Sequence, residues 1–355
     1  MIEARAPVSA SRARLTGEGG REPDSLRSRP RAVSQFERRA MGSALRLTVA
    51  GTSAAAALLV WGRASAEFER AEQAMSRFRD TSDLTRLNLA AAHGVAVEVD
   101  PRLRRALTAA RRAQRITGGR FDPRILADLE RLGYPAAAVG RTPVRGLSSG
   151  AAIGPTRSPS PETGWLTLDG RLPGVALADP VDLGGIGKGL ALRWAWRRLW
   201  TRLAAVSGAG ALLEAGGDLV AGGLSPDGGP WLVGIDDPRA GTVDGAPPIA
   251  VLAIERGAVC TSSVAVHRWR DPAGRLVHHL LDPLTGEPGG EGLLAVTVAG
   301  PDPAWAEVWS KTLFLEGARR IADAARRRGL AAWWVTGSGD LAMTPAARPR
   351  TAWTA

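Results

Sequence analysis

Hydrophobic and polar positions change their period several times along this chain, and each change predicts an element. The stretch "SALRLTVAG" (43–51) alternates apolar and polar residues up to Gly51, the two-residue period of a half-buried strand. Thr52 or Ser53 can then cap a helix running from Ala54 to about Phe78, whose later turns carry Glu67, Glu69, Arg70 and Glu72. A second helix is predicted from about Pro101, a residue suited to a first turn, to Thr117, where Gly118 and Gly119 stop it. Short apolar runs resume with "WLTLDG" (165–170) and "VALAD" (175–179). They continue through "ALLEAGGDLVAGG" (211–223), "PWLVGIDD" (230–237), "PIAVLAIERGAVCTSS" (248–263) and "LLAVTVAG" (293–300), each stopped by Gly, Pro or Asp. A helix from about Ala304 to Arg328 and a strand "LAAWWVTG" (330–337) close the pattern. Helices and strands mix without strict alternation, so the expected class is α+β.

Residues 1–36, rich in Arg, Pro, Ser and Gly, have too few apolar side chains to offset the entropy of ordering and are expected to form a flexible tail. Residues 135–163 have the Ala, Gly, Pro and Ser content of a surface insertion, and 346–355 are expected to be a C-terminal tail. One domain, 37–345, is left between the tails.

Composition narrows the function. A chain of 355 residues with 45% hydrophobic content can bury a large core. Its formal charge of +11 would suit nucleic acid, but the arginines are spread thinly and there are only one Tyr and five Phe, so no specific nucleic-acid partner is expected. The single cysteine, Cys260, rules out an internal disulfide, and the four histidines fit no zinc spacing. A segment from Glu37 to Ala66 imitates an export signal, with Arg38 and Arg39 before an apolar stretch and Ala64-Ser65-Ala66 at its end. Gly51, Thr52 and Ser53 interrupt its middle, and cleavage after Ala66 would remove the strand at 43–51. A cytoplasmic or membrane-facing location is therefore expected in preference to export.

Arginine supplies almost every cation: Lys188 and Lys311 are the two lysines among 46 basic residues. Lys188 lies in "VDLGGIGKG" (181–189), where a strand reaches Asp182, then Gly184, Gly185, Gly187 and Gly189, then a helix. Glycines admit close approach of a ligand to the backbone, and a helix start offers free N–H groups to an anion. The segment suits a pyrophosphate, but it is not a Walker A loop, because Gly189 stands where Ser or Thr would hold magnesium. Taken alone, it also reads as a glycine-rich turn with a solvated lysine.

The segment belongs to an ordered series: "MGSALRLTVAG" at 41, "AMSRFRDTSDLTRLN" at 74, "GGRFDP" at 118, "VDLGGIGKG" at 181, "LLEAGGDLVAGG" at 212, "WLVGIDDP" at 231, "CTSS" at 260, "HLLDPLTGEP" at 279 and "AEVWSKTLFLEG" at 306. From about Met41 to Gly339 this series resembles the FAD:protein FMN transferases, the ApbE family. The resemblance implies a single T-fold-related domain of mixed sheets packed with helices. It also implies transfer of FMN from FAD, with release of AMP, to a threonine of a partner flavoprotein, and it allows a membrane-associated redox partner. Positioning and charge neutralisation would dominate such a step, usually with Mg²⁺ on the pyrophosphate.

Carried over by motif, Met41, Phe78, Arg120, Phe121 and Asp122 would line the flavin or adenine site. Asp182 and Lys188 would lie beside the pyrophosphate. His279, Leu280 and Asp282 would close the site, with His279 and Lys188 as the catalytic candidates and His279 handling the proton. Without the resemblance, Met41 and Phe78 read as core residues, Asp282–Gly286 as a turn, and Asp218 as a turn residue or a holder of a ribose hydroxyl.

The metal positions implied by the resemblance are Gly185, through its carbonyl, and Glu307, Ser310 and Lys311. Here the chain departs from the family, in which an Asp and, four residues on, a Thr bind the metal. A protonated lysine has no lone pair to offer a cation, so Lys311 is expected either to occupy part of the cation's space or to pair with Glu307 one helical turn away. The family's "TSG" is also replaced, here by "TSSVAVHRW" with Ser263 and Val264. Two readings follow, a transferase and an FAD-binding protein that has lost transfer.

Overall fold

The computed structural model describes residues 31–134, 164–168, 174–240, 246–265 and 267–355. The chain opens with a hairpin whose strands, Val33–Ala40 and Ser43–Ala50, pair so that Ala40 faces Ser43. Met41 and Gly42 form the two-residue turn with φ values of 49° and 75°. Positive φ at both positions matches the twist of the flanking strands, and Met41 is the only non-glycine residue described that adopts it. Residues 33–36, expected to be tail, instead belong to a strand, formed by the alternation in "VSQFERRA".

Gly210–Ala215, Asp218–Gly223, Arg256–Ser263, Leu293–Gly300, Ala331–Thr336 and Leu341–Met343 extend the hairpin into an eight-stranded sheet. Its strands lie side by side in chain order, each antiparallel to its neighbours. Alternate side chains point to opposite faces of such a sheet. On one face Leu45, Leu47, Leu213, Val220, Cys260, Val298 and Trp334 meet helices. On the other, Leu219, Ala221, Val259, Trp333 and Val335 pack on a small sheet of Trp231–Ile235, Ala250–Ile254 and Thr351–Thr354. The last of these strands corrects the expected C-terminal tail: it pairs antiparallel with Ala250–Ile254 after a 3-10 turn at Pro345–Arg350.

The helical layer holds α1 (Ala54–Met75), α2 (Asp83–Ala91), α3 (Pro101–Ile116), α4 (Leu126–Arg131), α5 (Gly187–Leu203), α6 (Pro303–Leu315) and α7 (Gly317–Arg327). Ser53 caps α1, and Asp100 and Asp302 cap α3 and α6, each ahead of a proline in the first turn. The signal-like segment, Glu37–Ala66, is the end of the first strand, the second strand and the first half of α1, with Ala64 fully buried. Buried Glu67 ties the layer together, taking Arg102 of α3 at 2.8 Å and Arg70 at 2.8 Å, with Arg198 of α5 at 3.7 Å.

Three helix expectations change. The first helix ends at Met75, α2 is an extra element, and the closing helix is two, because Gly317 at φ 70° breaks it. The insertion at 135–163 lies outside the described residues. Among those described, no helix is long and apolar enough to cross a membrane.

Candidate functional site

The loop from Asp182 to Ile186 leads into α5, and neighbouring elements fix it from three sides. Asn88 of α2 holds Val181 through both backbone groups, at 2.9 Å each. The Asp182 N–H donates to the Pro123 carbonyl at 2.7 Å, and the Asp182 carboxylate accepts from the Gly184 N–H at 2.7 Å. Arg77 closes the third side, with Nε 2.6 Å from Asp182 Oδ2 and both side chains about nine-tenths buried. Its guanidinium lies 4.2 Å from the Phe78 ring centroid and 4.9 Å from that of Tyr134, which meets Trp269 edge-on. The sequence reading passed over Arg77, Asn88 and Tyr134; the one available signal was that Arg77 and Asn88 fall inside the motif at 74.

A cleft opens beside the loop, lined by Arg120, Phe121, Asp122, Asp182, Gly185, Leu281, Pro283 and Lys311, with Ile125 and Leu315. Arg120 reaches Asp282 at 2.7 Å and joins the glycine-rich turn after α3 to the hairpin at 281–288. Asp122 lines the cleft with its oxygens already engaged, accepting from Arg124 at 2.7 Å and from Gln114 at 2.9 Å. At Gly185 a Cβ would stand 2.7 Å from Lys311 Nζ and 3.0 Å from the Phe121 ring, so a larger residue would make both side chains shift. Met41, at the hairpin tip, is near the same loop, with Cε 3.7 Å from a Cβ built on Gly187. The structure therefore gathers Met41, Phe78, Arg120, Phe121, Asp122, Asp182, Gly185 and Lys311 around one loop.

Lys188 points elsewhere. Its ammonium contacts Asp218 and lies 3.4 Å from Glu307 Oε1, and it does not line the cleft. Asp218 also accepts from the Thr261 N–H at 3.0 Å, and Glu307 from the Gly189 N–H at 2.7 Å. Burial alone would lower the Lys188 pKa, but the charges of Asp218 and then Glu307 outweigh it and raise it. Glu307 is itself pushed up by burial, an effect that Lys188 opposes. Asp218 is thus a buried counter-ion rather than a turn residue. The expected Glu307–Lys311 pair is not among the ion pairs of the described residues, because Glu307 faces α5 and is taken there.

Further expectations are corrected. Leu280 is fully buried in the core beneath α6 and offers no side chain to a ligand. Ser310 is closed off, its hydroxyl donating to the Glu307 carbonyl at 2.9 Å and meeting Ser262 Oγ at 2.9 Å. The four expected metal positions do not fit a divalent cation. Such an ion takes several oxygen ligands at about 2.0–2.6 Å. Here one carboxylate is paired, the hydroxyl is bonded and an ammonium stands beside Gly185. No group of three or more His, Cys, Asp or Glu among the described residues is arranged to hold a metal.

His279 is half-buried on the hairpin end, its Nδ1 3.3 Å from the His267 carbonyl oxygen and its ring edge-on to His267. Burial and then the Lys311 charge hold its pKa well below the usual imidazole value, so it is neutral near pH 7.

Comparison with known proteins places the chain in a family. A 30% identical match over 273 residues, 76% of this chain, links it to the FAD:protein FMN transferase of Rhodobacter capsulatus, of which it spans 49%. The Escherichia coli K12 protein of the same name is 30% identical over 129 residues, 36% of each chain. The matched stretch thus spans half or less of these relatives. Among solved structures, the apbe protein of Thermotoga maritima shares the fold with a TM-score of 0.72 at 24% identity, over 90% of this chain and 99% of that one. The apo flavinyl transferase ApbE of Pseudomonas stutzeri does so with a TM-score of 0.69 at 24% identity, over 91% and 99%. The ApbE family model matches residues 41–334, from the strained Met41 turn to the seventh strand of the sheet, and the chain belongs to that family.

Proposed function

We propose that this chain transfers FMN from FAD to a threonine of a partner protein and releases AMP. The observation that carries the reading is the cleft where the Asp182–Ile186 loop, the Arg120–Asp122 turn and the Asp282 hairpin converge, with Lys311 in its wall and a neutral His279 on the neighbouring strand end. In the step, the threonine oxygen bonds to the FMN phosphorus. The bond from that phosphorus to the bridging oxygen breaks, and its electron pair leaves with AMP. The hydroxyl proton passes to His279, whose neutral imidazole has a lone pair to accept it. Lys311 offsets the phosphate charge, and Phe121, Phe78 and Met41 offer apolar surface to the ring system. FAD is consumed as a substrate.

Intact-mass spectrometry of a threonine-bearing FMN-acceptor domain, incubated with this chain and FAD, tests the reading. The expected result is a flavin-sized adduct with AMP in equal amount, and a loss of adduct of at least about a hundredfold in His279→Gln. A second reading, FAD binding without transfer, is favoured by the closed state of Glu307 and Ser310. FAD that stays bound and intact with every acceptor would decide for it.

A further inference from the structure

Four side chains in the cleft wall carry charge: Arg120, Asp122, Asp182 and Lys311. Three of them are already matched. Arg120 pairs with Asp282 at 2.7 Å, Asp122 with Arg124 at 2.7 Å, and Asp182 with Arg77 at 2.6 Å. Lys311 is different: among the described residues no carboxylate oxygen lies within the 4.0 Å of an ion pair. The acid one turn before it, Glu307, is held by Lys188 and by the Gly189 N–H. The ammonium is therefore the one cation of the wall without an ion-pair partner among the described residues, and it stands against Gly185, where a Cβ would lie 2.7 Å from its Nζ.

A partly desolvated ammonium without a counter-ion is costly unless an anion completes it. Resting on the flavin-transfer reading, we propose that Lys311 is a built-in cation that binds the diphosphate of FAD in this cleft, so that binding needs no divalent ion. Lys188 makes this arrangement possible, because it occupies Glu307 and prevents that carboxylate from neutralising Lys311 along the helix. The two lysines of the chain thus have opposite tasks, one satisfying the interior and the other kept for a ligand.

Titration of the full chain with FAD, followed by quenching of flavin fluorescence in excess Mg²⁺ and in excess EDTA, tests this. The wild-type affinity is expected to be the same in both within about twofold, a difference below ~0.5 kcal/mol. Lys311→Gln is expected to lose about tenfold or more for FAD, the loss of one charge-assisted contact, while keeping its thermal midpoint and its affinity for riboflavin, which carries no phosphate. Wild-type binding that collapses in EDTA overturns the proposal and leaves the transferase reading standing. Unchanged FAD affinity in Lys311→Gln, or an equal loss for riboflavin, also overturns it. Failure of the wild type to bind FAD in either condition removes both the proposal and the reading beneath it.

Discussion

Asp218 and Glu307 are 2% and 5% exposed and would repel each other if the Lys188 ammonium did not stand against both. Lys188→Met leaves these two acids buried without their cation. The expected cost is about 2–3 kcal/mol, discounted from the values for fully buried pairs because Lys188 keeps 29% of its side-chain surface. Urea unfolding checks this, and a variant as stable as the wild type would show that the cluster is not a structural pair. The sequence singled out both lysines by rarity, but it could not assign their partners. Helical spacing joins Glu307 to Lys311, whereas the fold turns Glu307 toward the start of α5 and leaves Lys311 at the cleft. Met41 shows the converse. Its motif was readable, yet its left-handed backbone comes from a hairpin whose first strand, Val33–Ala40, begins inside the stretch expected to be tail.

Thr351–Thr354 adds a third strand to the small sheet, and Trp333 of the main sheet donates its indole N–H to Thr351 at 3.0 Å. Ending the chain at Arg350 removes that bond and uncovers the edge of Ala250–Ile254. The expected loss is about 2 kcal/mol, the net worth of a few backbone and side-chain hydrogen bonds. The midpoint of thermal unfolding measures it, and an unchanged midpoint would show that the strand contributes nothing. Nothing local announces this element: "TAWT" is short and lies far along the chain from its partner strand. Elements with their own signals were legible, as with the cap at Ser53 and the first-turn proline Pro101. α2 was not, because its short apolar face, Leu84 and Leu87, is completed only by packing.

Across the whole molecule, three of the four histidines have pKa values lowered by burial: His267, His278 and His279. Unfolding returns them to the usual value of about 6.5, so below it the unfolded chain binds more protons than the folded one. Their contribution to stability is complete above that value and is lost as pH falls toward the lowered folded values. Urea midpoints are expected to drop between about pH 7.5 and pH 5.5, with a smaller drop in His279→Gln; equal drops in both proteins would count against a buried neutral His279. The α+β class was readable because the alternation at 43–51, the short apolar runs stopped by Gly, Pro or Asp, and the capped helical stretches all survive in the sequence. The chain-order sheet was not, since pairing is set by long connections.

That order also governs synthesis. Leu45, Leu47 and Val49 leave the ribosome early, but the strand that pairs beside them, Gly210–Ala215, follows only after α1 to α5 have been made. From Gly210 onward each strand of the main sheet meets its neighbour after a shorter interval. The N-terminal hairpin therefore spends the longest time as an apolar edge without a neighbour, and it is the part of the nascent chain that most needs shelter from other chains.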